Sequence, residues 1–425
     1  MSGFDKIIGY EDIKAELSRF ANVLKEPEKY SKLGVTTPSG IMLYGDPGVG
    51  KTLMAKCFIA ETGCKVFTLR KDKPNGDFVK QIKETFEAAK KGSDEISIVF
   101  LDDMDKFANE DTDHQDAEEY VAIQSCIDEC KGYGVFAFAT VNDIRFLPES
   151  LLRAGRFDKK IKIDIPYGKD AELIIHHYLN QKRVVEDIDV EEISRLMVDH
   201  SCAELEMVVN EAGIYAGYYG KELIEHEDIV RACKRVIFDF PECITPTNNP
   251  YDKYIAVHEA GHAVIAEMLN PGSVTLVSLC NRLDKRNGLT KILLPEGWEF
   301  SKELIEHTII ETLGGKAATE IVYGVADVGC VSDMQDVSFN VEKLIDDNCT
   351  VGFDTFASPD SSQYLKEKKD ILIASEINRY YQIAKKIIVE NRPFIDAVTE
   401  ALLDHKTVTY REMQRIKKKH RKKEV

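Results

Sequence analysis

The sequence predicts an α/β module with a mostly parallel sheet and a small helical lid, followed by a second, mainly α-helical module. Three observations predict it. Short apolar runs alternate with helical patterns as far as about residue 166, and strand signals then vanish. Past a stretch rich in turn residues the chain is helical again.

The runs Gly40–Tyr44, Ile96–Leu101 and Val135–Ala139 read as buried strands between helical segments. From Asp170 to about Ile237 apolar residues recur at helical spacing, as in Leu205, Val208, Val209 and Ala212. Pro241 to Pro250 is rich in turn residues and carries the expected main boundary. Beyond Tyr254 one β-like patch, Val274 to Leu294, interrupts a helical pattern. The expected division is an α/β subdomain over 1–166, a helical lid over 167–240, a linker over 241–253 and a second module over 254–425.

A chain of 425 residues is too long for one ordinary core, and 44% hydrophobic with 30% charged residues is a globular composition. The balance of 56 Lys and Arg against 73 Asp and Glu, net −17, speaks against a general nucleic-acid surface. The one basic run, Lys417 to Lys423, reads as a solvated helix end and tail rather than a contact for anionic lipid or nucleic acid. Ten scattered cysteines without paired CxxC elements read as reduced thiols of a cytosolic protein. No apolar stretch reaches the ~18 residues of a membrane span, and the polar start Met1-Ser2-Gly3 is no signal peptide.

Gly45-Asp46-Pro47-Gly48-Val49-Gly50-Lys51-Thr52 fits GxxxxGK[ST], between an apolar strand and the helix that continues through Leu53. Amides of such a loop wrap phosphate oxygens at a helix N-terminus; Lys51 then meets the β- and γ-phosphates of ATP and Thr52 holds Mg²⁺. The strand ending in Leu101 is followed by Asp102 and Asp103, and a carboxylate there reaches the same metal ion. Asp102 is the Walker B candidate.

His258-Glu259-Ala260-Gly261-His262 is an HExxH pattern inside an unbroken apolar run, Tyr254 to Leu269. Residues four apart share a helical face, so both imidazoles can coordinate one Zn²⁺, while Glu259 can act as general base toward water. A third protein ligand is required, and spacing alone does not choose it among the downstream acids.

Taken together, Phe4-Asp5, Ile8-Gly9, the glycine-rich loop, Asp102, Asn142, the segment Leu151 to Asp158 and the HExxH run resemble the FtsH protease family. That family joins an AAA+ P-loop ATPase to a zinc metallopeptidase. The resemblance implies that Ile8 and Gly9 lie against adenine and that Asn142 orients the attacking water. It implies that Arg153 and Arg156 are arginine fingers. Fingers reaching a neighbour's nucleotide imply a homo-oligomeric ring, a hexamer, that feeds unfolded polypeptides to zinc. In Leu313-Gly314-Gly315 followed by Gly329-Cys330-Val331-Ser332-Asp333, it makes Asp333 the third zinc ligand, with Glu320 as the other candidate. Capping of the helix that follows is the plain alternative for Asp333. Gly288 to Pro295 resembles the strand bordering the family's cleft, either an edge that pairs with extended peptide or a plain hairpin strand.

Two departures bear on activity. The family has Asp-Glu where this chain has Asp102-Asp103, one methylene shorter, which predicts slow ATP hydrolysis. Pro74 stands at the aromatic position of the substrate-gripping pore loop, leaving Phe78 either as a shifted substitute or as a buried helix residue. Three functions therefore stay open: a processive ATP-driven protease, a zinc peptidase whose ATPase serves assembly, and a remodelling protein with an idle peptidase. Family members carry transmembrane helices ahead of the ATPase, whereas here that pattern begins almost at once, so a cytosolic enzyme on soluble substrates is expected.

Overall fold

The structure, a computed structural model, describes residues 3–91, 96–108, 117–240, 251–281, 287–294, 301–325, 330–346 and 362–421. The expected linker falls largely on 241–250, outside the described residues. Two compact units are present, Met1–Val190 with Met197–Ala232, and Glu191–Leu196 with Cys233–Val425.

The first unit opens with α1 (Glu11–Lys25) and α2 (Pro27–Ser31). It continues through β1 (Gly40–Tyr44), α3 (Lys51–Thr62), β2 (Lys65–Leu69), α4 (Asn75–Lys90), β3 (Ser97–Leu101), α5 (Glu118–Glu129), β4 (Val135–Val141) and β5 (Lys159–Lys162). The five strands pair in parallel in the order β2-β3-β4-β1-β5. Every residue of β3 is buried, and only the first of β4 and the last of β1 are not, which is why these strands read as continuous apolar runs. Their register aligns Tyr44 with Val141 and Leu101 with Ala139. The residues that follow, Gly45, Asp102 and Asn142, therefore emerge together at the carboxyl edge, where ligands of open α/β sheets bind.

Helices α6 (Lys169–Leu179) and α8 (Cys202–Tyr218) follow; α7 (Val190–Leu196), between them in sequence, belongs from Glu191 on to the second unit, as does the end of α9 (His226–Val236) from Cys233 on. Helix α8 starts on a capping box: Ser201 Oγ accepts from Glu204 N, and Glu204 returns a carboxylate to Ser201 N. Phe78, the candidate for a shifted pore-loop aromatic, is fully buried in α4 and packs edge-on against Phe107 at 4.9 Å. The connection from β2 to α4 is only Arg70 to Pro74, without an aromatic residue. Phe78 is a core residue.

The second unit is built around α10 (Asp252–Leu269). After it come β6 (Val274–Asn281), β7 (Asn287–Ile292), α11 (Lys302–Thr312), α12 (Gly314–Tyr323), α13 (Val331–Asp346), α14 (Gln363–Glu390), α15 (Arg392–His405), β8 (Thr407–Thr409) and α16 (Tyr410–Arg421). The β-like patch forms two antiparallel strands, and β8, which no periodicity announced, pairs with β6 to give the order β7-β6-β8. Three residues between two helices are too few to show a period of two.

Helix α10 is rich in alanine and glycine on its buried side, and its neighbours approach closely there. A Cβ on Gly314 would sit 2.7 Å from the carbonyl oxygen of Gly261, and one on Gly261 would sit 2.7 Å from Ala318 Cβ. The two backbones touch. At the far end of α10, Glu267 is fully buried and accepts from Gly272 N at 3.0 Å, Gln414 Nε2 at 3.0 Å and Lys417 Nζ at 2.6 Å. Lys417 is thus not part of a solvated tail: it is 8% exposed and fastens α16 to the end of α10. A buried carboxylate needs such a partner, and losing one side of the pair would strand the other. Among the described residues no helix is long and apolar enough to cross a membrane.

Two outcomes follow from this packing. Gly314→Ala forces a Cβ onto backbone that cannot swing away, so calorimetry should show a loss on the order of 1–3 kcal/mol. Glu311, at the end of α11, is buried with Oε2 lacking a hydrogen-bond partner, and burial pushes its carboxyl up from 4.5 to about 8. With the folded value raised, the unfolded chain sheds its proton first as pH climbs from 4.5 to 8, and stability drains away across that window. Glu311→Gln should melt like the parent near pH 4.5 and be more stable by a few kcal/mol at pH 8.5.

Candidate functional site

The glycine-rich loop is shaped by backbone that side chains would block. Gly45 has φ +149° and Gly48 φ +82°, and a Cβ on either would strike Ile163 O or Ser201 Oγ. Ala203 N donates to Gly48 O at 3.1 Å, so the start of α8 packs on the loop. Gly50, with φ +96°, caps α3, whose first residues are Lys51 and Thr52. Lys51 is 5% exposed and its Nζ donates to Gly45 O and Asp46 O, both at 2.8 Å. Burial pulls its pKa down, against the opposing charges of Asp103, Asp105 and Asp46.

A cleft of about 710 Å³ opens over this loop. Of the residues expected to meet nucleotide, Ile8, Pro47 to Leu53, Asp103 and Asn142 line it. Gly9, Gly45, Asp46 and Asp102 do not. Gly9 takes φ +70° against Asp170, whose Oδ1 accepts from Tyr10 N at 3.1 Å, and this turn presents Ile8 to the cleft. Asp102 sits behind Thr52, 4% exposed, and is saturated with donors. Thr52 Oγ1 at 3.1 Å and Thr140 Oγ1 at 2.9 Å reach its Oδ1, and Arg70 Nη2 at 2.6 Å reaches its Oδ2. Asp103 follows in the left-handed region at φ 54°, with N donating to Thr140 Oγ1 at 2.9 Å and its carboxylate 3.2 Å from Lys106.

Asp105 was not singled out from sequence. It is 1% exposed and lines the cleft; burial raises its pKa, and the neighbouring Asn142 opposes that rise. The two arginines lie away from the cleft of their own chain and differ from each other. Arg153 is exposed, whereas Arg156 donates to Asp128 Oδ2 at 2.7 Å and to Gln124 Oε1 at 3.2 Å.

The second cluster is on α10. His258 Nε2 and His262 Nε2 are 3.0 Å apart, and Asp333 Oδ2, from the first turn of α13, lies 3.2 and 3.5 Å from them. Their ligand atoms all fall within 4.8 Å of one another, and among the described residues no other such group occurs. His262 Nδ1 is 2.9 Å from Glu311 O. A carbonyl only accepts, so Nδ1 carries the proton and Nε2 turns a lone pair toward the other two atoms. Asp333 Oδ2 is buried and has no hydrogen-bond donor of good geometry. Burial disfavours its charge, and without a metal ion only protonated imidazoles, donating from Nε2, would hold the carboxyl below the usual range. Two ring nitrogens and one carboxylate oxygen converging on a point suit a divalent cation, and two imidazoles with one carboxylate suit zinc.

Gly315 makes the space. Any Cβ there would lie 2.5 Å from His258 Cε1 and from His262 Nε2. Glu259 is 7% exposed beside the imidazoles, and its Oε2 accepts from Thr290 Oγ1 at 2.7 Å. Burial raises its pKa, opposed by His262, His258 and Thr290. Glu320, the other candidate ligand, is bound elsewhere: its carboxylate takes Tyr381 Oη and, at 2.7 Å, Lys385 Nζ. The alternative for Asp333 does not compete, since one residue occupies both the first turn of α13 and the cluster.

Residues 41–165 match the ATPase family associated with various cellular activities (AAA), and residues 247–348 match peptidase family M41. The chain is 29% identical over 439 residues to ATP-dependent zinc metalloprotease FtsH 2 of Phytoplasma mali (strain AT), covering 97% of this chain and 62% of that protein. It is 27% identical to ATP-dependent zinc metalloprotease FtsH 2 of Thermoanaerobacter sp. (strain X514), covering 97% and 82%, and 29% identical to ATP-dependent zinc metalloprotease FtsH of Cyanidium caldarium, covering 97% and 72%. The chain thus spans between about three fifths and four fifths of the length of these relatives. It joins a module that matches the AAA family, over the parallel sheet, to one that matches peptidase family M41, around α10, and along 97% of its length it is similar to proteins named ATP-dependent zinc metalloprotease FtsH.

Proposed function

We propose that this chain is an ATP-dependent zinc endopeptidase that cleaves unfolded polypeptides and works as a homo-oligomeric ring, a hexamer. The convergence of His258, His262 and Asp333 beside Glu259, in a chain that also carries a complete glycine-rich loop, supports this reading best. His258, His262 and Asp333 would hold zinc, which supplies Lewis acidity. Glu259 takes a proton from the attacking water and returns it to the leaving amine. Strand β7 has a neighbour on one side only among the described residues, so an extended peptide can pair along its other edge whatever its side chains.

In the ATPase module, Ile8 and Gly9 bound the base and the loop from Gly45 to Leu53 holds the phosphates of ATP. Thr52 and Asp102 hold Mg²⁺, and Asp103 and Asn142 order the attacking water. Arg153 is the finger offered to a neighbouring subunit, because its exposure leaves it available and Arg156 is already engaged by Asp128.

A second reading, a zinc peptidase whose ATPase serves assembly more than pulling, is favoured by one observation. Phe78 is buried and the segment from Arg70 to Pro74 has no aromatic residue with which to grip a substrate.

One substrate in folded and unfolded form separates the two readings. The unfolded form should be cut, with cleavage abolished by a zinc chelator and reduced at least ~10²-fold by Glu259→Gln, which keeps its zinc. Unchanged cleavage by that variant removes Glu259 from the reaction. Lys51→Ala should abolish ATP binding, and retained binding would overturn the nucleotide-site assignment. Loss of the folded form only during ATP hydrolysis selects the processive protease; its persistence alongside cleavage of the unfolded form selects the second reading.

A further inference from the structure

Resting on the reading of Glu259 as general base, we infer that Thr290 is a positioning residue for that base. Strand β7, rather than the metal-bearing helix, selects which carboxylate oxygen receives the proton. A glutamate one position from a ligand histidine has three rotatable bonds, and the helix alone does not choose among its rotamers. The neighbouring strand does.

Alternation along β7 puts Gly288, Thr290 and Ile292 on one face, and Ile292 packs into the core around α10. Thr290 Oγ1 lies 2.7 Å from Glu259 Oε2 and 3.3 Å from the Glu259 carbonyl. A hydroxyl has one proton to give, and the shorter contact to a carboxylate is the stronger acceptor. Gly288 closes the other side: it has φ +104°, and a Cβ there would fall on Glu259 Oε1. The carboxylate is held between a hydroxyl and a bare Cα, with Oε2 engaged and Oε1 left to take the proton. Because β7 is paired on one side only among the described residues, a peptide added to its edge would order the strand that carries Thr290. Substrate pairing and base orientation are thereby linked. A positioning role of this kind acts on turnover rather than on binding.

The test uses the full chain, an unstructured fluorogenic peptide and zinc analysis of each variant. Thr290→Val preserves side-chain shape and removes the donor; kcat should fall about 10- to 100-fold, with KM within about twofold and zinc content unchanged. Thr290→Ser keeps the donor and loses only a methyl, and should stay within about threefold of the parent. Parental kcat in Thr290→Val, equal impairment in Thr290→Ser, or a defect carried by KM or by lost zinc would each overturn the proposal. Glu259→Gln in the same assay separates the two levels: if it cleaves at the parental rate the general-base reading itself fails. If it is inactive while Thr290→Val is normal, only the role of Thr290 falls.

Discussion

The backbone contact between Gly261 on α10 and Gly314 on α12 is the constraint on which the metal cluster depends. Helix axes usually stand 8–10 Å apart because side chains intervene. Here glycine faces glycine, and Gly315 comes directly beneath the two imidazoles. The same approach brings the end of α11 close enough for Glu311 O to accept a hydrogen bond from His262 Nδ1–H, which fixes the tautomer that ligation requires. The tautomer of His262 and the space between the rings both depend on this close approach.

The first unit solves a different problem with the same economy of space. Its phosphate-binding loop must turn sharply between β1 and α3, and Gly45 and Gly48 adopt backbone angles open mainly to glycine, pressed against Ile163 and Ser201. Parallel pairing in register then carries Asp102 and Asn142 to the same edge of the sheet. The order of events runs from sheet register to loop position to side chain: Asp105 and Asn142 line one cleft because β3 and β4 end side by side.

Local chemistry was legible in the sequence; chemistry assembled across the fold was not. His258 and His262 could be paired because a helix repeats every 3.6 residues, and the glycine-rich loop because its strand and helix flank it. Asp333 needed the family resemblance, since it comes from a different helix. Thr290 left no signal, because a threonine in an edge strand is ordinary until the strand is laid against Glu259. Lys417 was hidden in a run of like charges, its partner Glu267 lying 150 residues earlier, so the local pattern indicated solvent while the fold required burial. Phe78 carried two meanings in sequence, and the shortness of the β2–α4 connection left room for only one.

Buried acids in this protein divide by how their oxygens are satisfied, and that division separates scaffolding from chemistry. Glu267 is bonded to a lysine and further donors. Groups so saturated gain little by taking on a new cation unless a present partner leaves. Asp333 is the opposite case: its buried Oδ2 faces two ring nitrogens and lacks a donor of good geometry. An orphaned buried acceptor costs about 1–3 kcal/mol, and at Asp333 a cation shared with the two imidazoles would offset that cost. By the same reasoning Arg70 on Asp102 is more than a surface ion pair. Its guanidinium occupies one oxygen of Asp102 while Thr52, the hydroxyl proposed to hold Mg²⁺, donates to the other, so the charge it supplies and the charge a metal would supply are drawn to one carboxylate.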